Sequence, residues 1–303
     1  MQITRARLLA VFFAVTFAIG WLPPLFFAVR GIAFGPGISR ALTVFMAFAP
    51  LIGALVVQGP MLKGEVMKPL GLTTDWNRFW IVAWLAPVLI LFVGVLATWL
   101  GTGLAPVLDT ATLLANKRSL VAPADLAAFD AHVRAEPPSH PLVLVLLGLP
   151  AGLTINLFPS LAEEIGWRGL LFREMPGGFL ARSLAIGLVV GVFWLPLAFF
   201  GGLYPENPTL GAGLFLAVHL ALAPSMTYFR LRGTSVIPVA IFRGTYLAMT
   251  RVAYDLCFGS SSLVRPMYGI AAVVGALVLF GALAAYDRFV AETRVLGTRP
   301  SAA

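Results

Sequence analysis

Two adjacent carboxylates, Glu163 and Glu164, precede Arg168 in the segment LAEEIGWRGLLF. On a helix, Glu164 and Arg168 stand four apart and can pair. Asn156, Ser160 and Glu163 fall at i, i+4 and i+7, so one helix face carries a polar stripe that ends on the first carboxylate. A carboxylate so placed could act as a general base on water, or it could be half of a Glu–Arg pair that anchors a helix end. Arg243 lies inside another apolar stretch and has no acid three or four residues away. It must reach the surface or find a carboxylate on another helix. Glu163 and Glu164 are nearest in depth, so the expectation is an inter-helix salt bridge to one of them. Arg251 and Asp255, four apart, are expected to pair locally. His219 is the one histidine within an apolar stretch, and the expectation is a bond to a backbone carbonyl rather than to a metal. His132 and His140 read as surface residues.

The elements that must hold these groups are apolar. Apolar residues make up 59% of the 303-residue chain and charged residues 11%. A soluble domain carries about 25% charged residues. The composition excludes disorder, a coiled coil and an ordinary cytosolic enzyme. Cys257 is the only cysteine, so no disulfide forms within the chain. The net charge of +8 marks loops beside a membrane rather than a nucleic-acid partner. Stretches near the roughly 20 residues needed to cross a bilayer occur at 8–29, 41–62, 79–104, 141–162, 183–203, 210–229, 234–256 and 267–286. The first is too long for a signal-peptide core and lacks a small-x-small cleavage site, so it is expected to remain in the chain. The expected fold is an all-α polytopic membrane helix bundle of about eight spans, a single transmembrane domain over 1–303.

Of the 21 basic residues, 13 fall on one side of these spans, 6 on the other, and Arg243 and Arg251 within one. The excess of Lys and Arg on the cytoplasmic side of membrane proteins then predicts both termini in the cytoplasm and 105–140 outside. Within that loop, 123–135 reads as a short helix. Pro123 and Asp125 suit its start, Arg134 its end, and Pro137–Pro138 stop it.

The EEIGWRG segment resembles the first motif of the CPBP family, the CAAX-type prenyl-protein endopeptidases and bacteriocin-immunity proteins. There, two glutamates are followed after three residues by an arginine, which puts Glu163, Glu164 and Arg168 in the motif. GVFWLPLAFF is similar to the second motif and RLRGTSVIPVAIFRGTYL to the approach to the third, in the same order over about 141–250. The resemblance implies a membrane endopeptidase whose first glutamate and second-motif histidine activate water, with or without a metal. The third-motif histidine and asparagine would stabilise the oxyanion. Here Trp194 replaces the first histidine, Arg243 the second, and Leu247 the asparagine.

Tryptophan offers an N–H donor but cannot accept a proton or bind a metal. Arginine stays protonated, so Arg243 could donate to an oxyanion but not act as a base. Leu247 contributes nothing polar. No cofactor is expected, and zinc only if the family chemistry survives. The expected function is therefore that of a catalytically degenerate relative in a bacterial inner membrane, in contact with lipid and binding a prenylated or membrane-embedded peptide or protein. The alternative is an active endopeptidase that pairs Glu163 with His219. A transporter with a buried Glu–Arg pair is a third reading, against which the order of the motifs argues.

Overall fold

The computed structural model describes residues 4–297. Arg299, among the 13 basic residues above, and both ends of the 1–303 domain lie outside that range. Among the described residues there is no strand. The long helices are α1 (Arg5–Val29), α2 (Pro36–Val56, extended by a π-helical turn, Val57–Met61) and α3 (Arg78–Thr102). The loop that follows carries α4 (Thr110–Ser119) and α5 (Leu126–Ala135). Next come α6 (Pro141–Leu153), α7 (Leu157–Glu164), a π-helical turn (Ile165–Leu171) and a last turn, α8 (Phe172–Glu174). The chain closes with α9 (Phe179–Phe200), α10 (Pro208–Arg232), α11 (Ile237–Leu256) and α12 (Ile270–Phe289). Six of these helices are long and apolar enough to cross a membrane, and the bent pair formed by α6 and the α7 segment makes a seventh candidate. The all-α polytopic bundle is thus as expected, but with six or seven candidate spans in place of about eight, since α11 is not among them.

Caps explain several boundaries. The Asn77 side chain accepts from the Phe79 N–H at 2.9 Å to open α3. Gly103, with φ 73°, closes it in a conformation glycine adopts freely. Asn207 accepts from the Leu210 N–H at 3.0 Å, and Pro208 occupies the first turn of α10. Prolines lie inside α1, α2, α3, α9 and α10, and each removes one bond from its helix ladder.

Two further expectations need correction here. The stretch 141–162 is not one straight helix, because α6 and the α7 segment meet at 53°. Pro150 weakens the helix ladder. Thr154 turns its hydroxyl back onto the Pro150 carbonyl at 2.8 Å and leaves helical geometry. At the break Gly152 presses against α11. A β-carbon on Gly152 would sit 2.1 Å from Thr245 Oγ1 and 2.7 Å from its Cα and N. Since the obstacle includes backbone, Gly152→Ala is expected to cost about 1–3 kcal/mol through forced separation of the helices. Gly101→Ala, in open space at the end of α3, is the neutral-to-stabilising control in a detergent melting experiment.

The second correction concerns Asp255. Its partner is Lys117 of α4, at 3.1 Å, and not Arg251. Asp255 is buried where α4 folds over the end of α11, while Arg251 stays exposed. The loop thus holds more structure than its sequence suggests. α5 follows the expected Pro123–Asp125 turn. α4, opened by the Asp109 side chain on the Thr112 N–H at 2.7 Å, lies in a stretch read as loop. Arg118 joins the two helices through two 2.9 Å bonds to Asp130, which hold that carboxyl below the usual range. His132 and His140 are exposed, as expected.

α11 carries three charged residues, Arg243, Arg251 and Asp255, yet it is the most enclosed of the long helices. It packs against α3, α6, α7 and α10, and most of its residues are buried. Arg243 and Asp255 are tolerated there because protein, not lipid, surrounds them, while Arg251 reaches the surface. One apolar cluster groups α3 and α10–α12, another groups α1, α2, the Ile165–Leu171 turn and α9, and the polar side chains meet between them.

Candidate functional site

The π-helical turn Ile165–Leu171 continues α7 and widens it where Arg168 points inward. Such wide turns concentrate at functional positions. Two glycines let it pack closely. A β-carbon on Gly166 would lie 2.4 Å from Pro50 Cβ and 2.6 Å from the Pro50 carbonyl, and one on Gly169 would lie 2.5 Å from the Leu70 carbonyl. Glycine on both sides of Arg168 therefore seats the turn directly on α2 and on the 68–70 turn. Arg168 is fully buried and pairs with Glu164 at 3.1 Å, four residues back, as its spacing predicts. Its Nη2 reaches Met226 Sδ at 3.4 Å, and its carbonyl accepts from Arg230 Nε at 3.1 Å.

Glu163, one residue earlier, faces a different partner set. Trp194 Nε1 on α9 donates to Glu163 Oε1 at 2.8 Å. Arg243 on α11 reaches the same carboxylate twice, Nε to Oε2 at 3.3 Å and Nη2 to Oε1 at 3.4 Å. The inter-helix bridge expected of an unpaired intramembrane arginine is present, and it goes to Glu163 rather than Glu164. The Arg243 guanidinium also lies 5.9 Å from the Trp194 ring centre, within the range of a cation–π contact. Glu163, Glu164, Arg168 and Arg243 are 2%, 0%, 2% and 6% exposed, so two carboxylates and two guanidiniums balance inside the bundle.

The polar stripe faces α11 in part. Asn156 sits at the bend rather than within a helix, and its Nδ2 donates to the Gly244 carbonyl at 3.1 Å. Ser160 is buried, with no hydrogen-bond partner for its hydroxyl among the described residues. His219 is buried on α10, its Nδ1 2.9 Å from the Phe215 carbonyl and its ring 4.3 Å from the Phe215 ring. The carbonyl bond expected of a lone intramembrane histidine is therefore present. Among the described residues no hydrogen bond joins His219 to Glu163. Leu247, one turn beyond Arg243, lines a neighbouring cleft with Thr250, Arg251 and Tyr268.

Chemically, this arrangement engages both oxygens of Glu163 with fixed donors. It does not suit a metal. A cation shares the carboxylate, and the indole cannot ligate. Among the described residues no three His, Cys, Asp or Glu side chains group closely enough to hold an ion. Sequence reasoning identified Trp194 as a donor without an acceptor role. It missed the wide turn and the α6–α7 bend, which apolar counting does not register. No protein-family model matches this chain, and no curated protein matches it.

Proposed function

We propose that this chain is a catalytically degenerate relative of the CAAX-type membrane endopeptidases, whose buried charge cluster serves structure and the binding of a membrane-embedded or lipidated partner. The observation that carries the reading is the pairing of Glu163. The residues at the two positions where the family resemblance calls for histidines, Trp194 and Arg243, are the ones that occupy its carboxylate. A general base needs a lone pair free and aimed at the proton it takes, and here fixed donors hold both oxygens. The same substitutions that remove the family's acid–base chemistry supply Glu163 with donors, so the cluster is self-consistent without catalysis.

The partner half of the proposal is tested by titrating the purified chain with a fluorescent farnesylated peptide in detergent. Saturable binding with no cleavage product is expected, and a non-prenylated peptide should bind far more weakly. Absence of saturable binding would remove the lipidated partner.

The start of α1 and the end of α12 lie at one end of the bundle. There Arg5 lies 3.8 Å from Glu174, Arg173 donates to Gln58, and Arg232 pairs with Asp287 at 2.6 Å. We assign that end to the cytoplasm of a bacterial inner membrane, because it gathers the majority of the basic residues. Ser119→Cys, exposed on α4, should then react with an impermeant maleimide in intact cells, and Ser301→Cys only after permeabilisation. The reverse pattern would invert the orientation.

A further inference from the structure

At the end of the bundle opposite the termini, a cleft of about 350 Å³ opens beside α11, lined by Leu247, Thr250, Arg251, Tyr254, Arg265 and Tyr268 among others. It borders the Glu163 cluster through Tyr268, which lies within electrostatic reach of Arg243 and Glu163, and it contains two guanidiniums, neither in a salt bridge among the described residues. Arg251 is exposed and makes no hydrogen bond there either. Arg265 is held in place without a salt bridge among the described residues, with the Glu206 carboxylate in its electrostatic field. Its Nη2 donates to the Ser260 carbonyl at 2.6 Å, its Nε lies 3.4 Å from Ser260 Oγ, and its guanidinium stacks 4.8 Å from the Tyr254 ring centre. Its Nη1 makes no hydrogen bond among the described residues, so a donor remains free. The acids nearby are already engaged. Asp255 pairs with Lys117, and Glu206 accepts from the Ser262 N–H and hydroxyl, which hold its carboxyl below the usual range.

Depth adds a second argument. Arg251 lies five residues before the end of α11. At the rise of an α-helix that is about 8 Å along the axis from the outer mouth of the helix. Headgroups of a bilayer meet its hydrocarbon at such a depth. Leu203, Leu247 and Pro266 supply the apolar side of the cleft. A phosphate alone would find cations there, but nothing about it would call for those apolar walls.

We propose that this cleft binds one anionic phospholipid, with the headgroup phosphate between Arg251 and Arg265 and an acyl chain along Leu203, Leu247 and Pro266. Phosphate oxygens match the planar donors of arginine, and Tyr254 adds a hydroxyl at the rim, while the Thr250 hydroxyl is already donated to the Tyr246 carbonyl at 3.0 Å. This inference does not depend on whether the Glu163 cluster is catalytic.

Native mass spectrometry of the full chain in detergent, titrated with dioleoyl phosphatidylglycerol, tests it. One lipid adduct should survive activation that strips dioleoyl phosphatidylcholine. Arg251→Gln, which removes a residue with no partner among the described residues, should weaken the adduct about fivefold, and Arg251→Gln with Arg265→Gln about 25-fold. Leu247→Trp keeps both charges but fills the cleft, and should abolish the adduct. Inorganic phosphate should leave lipid binding unchanged. Equal retention of phosphatidylglycerol by the native chain and Arg251→Gln would overturn the proposal even if the other variants fail to fold. Displacement of the lipid by inorganic phosphate would assign the cleft to a free anion and overturn the lipid.

Discussion

Arg243→Leu should destabilise the protein by about 3–5 kcal/mol, because it strands the Glu163 carboxylate inside the bundle. Glu163 is 2% exposed and has two partners, of which only Arg243 carries charge. Glu163→Leu should cost a similar amount by stranding the guanidinium. The double variant, Glu163→Leu with Arg243→Leu, should recover most of the loss, since a buried pair replaced by apolar residues is often neutral. Trp194→Phe removes one hydrogen bond to a charged group and should cost about 1.5–3 kcal/mol. Unfolding in mixed SDS and dodecylmaltoside micelles reads all four. Simple additivity of the two leucine substitutions would mean that Glu163 and Arg243 do not depend on one another.

The native chain should cleave a prenylated C-terminal peptide at about 10⁻⁴ to 10⁻⁷ of the rate of an enzyme with the intact motifs. A missing acid–base partner costs a factor of roughly 10²–10⁴. Loss of an oxyanion donor costs about 10²–10³. Arg243 is engaged with Glu163 rather than free to donate. Catalytic groups act as units, so the product of the two factors bounds the effect rather than fixing it. The triple replacement Trp194→His, Arg243→His and Leu247→Asn tests the scaffold. It releases Glu163 from the cation and restores two titratable side chains. A gain in cleavage would show that the lesion lies in these side chains. Leu247 is the weakest part of that design, because it faces the Arg251 cleft and not the carboxylate.

The helices were largely legible because apolar length announces a span. The charge cluster was legible for a related reason: Arg243 had no acid on its own helix, and burying an unpaired charge is costly enough to demand one from elsewhere. The Glu164–Arg168 pair followed from spacing alone. The bend before α7 went unread because counting apolar length passes over Pro150, which weakens the helix ladder just before Thr154 leaves helical geometry. Asp255 was misassigned for a different reason. Four-residue spacing favoured Arg251, but the fold of the outer loop brings Lys117 to it instead. Local spacing predicts partners on one helix well until a distant segment competes for them.

The central claim is that Glu163 is a structural carboxylate held by Trp194 and Arg243. It is tested most directly by incubating the purified native chain in liposomes with a farnesylated C-terminal peptide, beside Glu163→Ala and His219→Ala. The account predicts no product above background from any of the three. Robust turnover by the native chain, abolished by Glu163→Ala, would contradict it, and loss in His219→Ala as well would identify His219 as the replacement base.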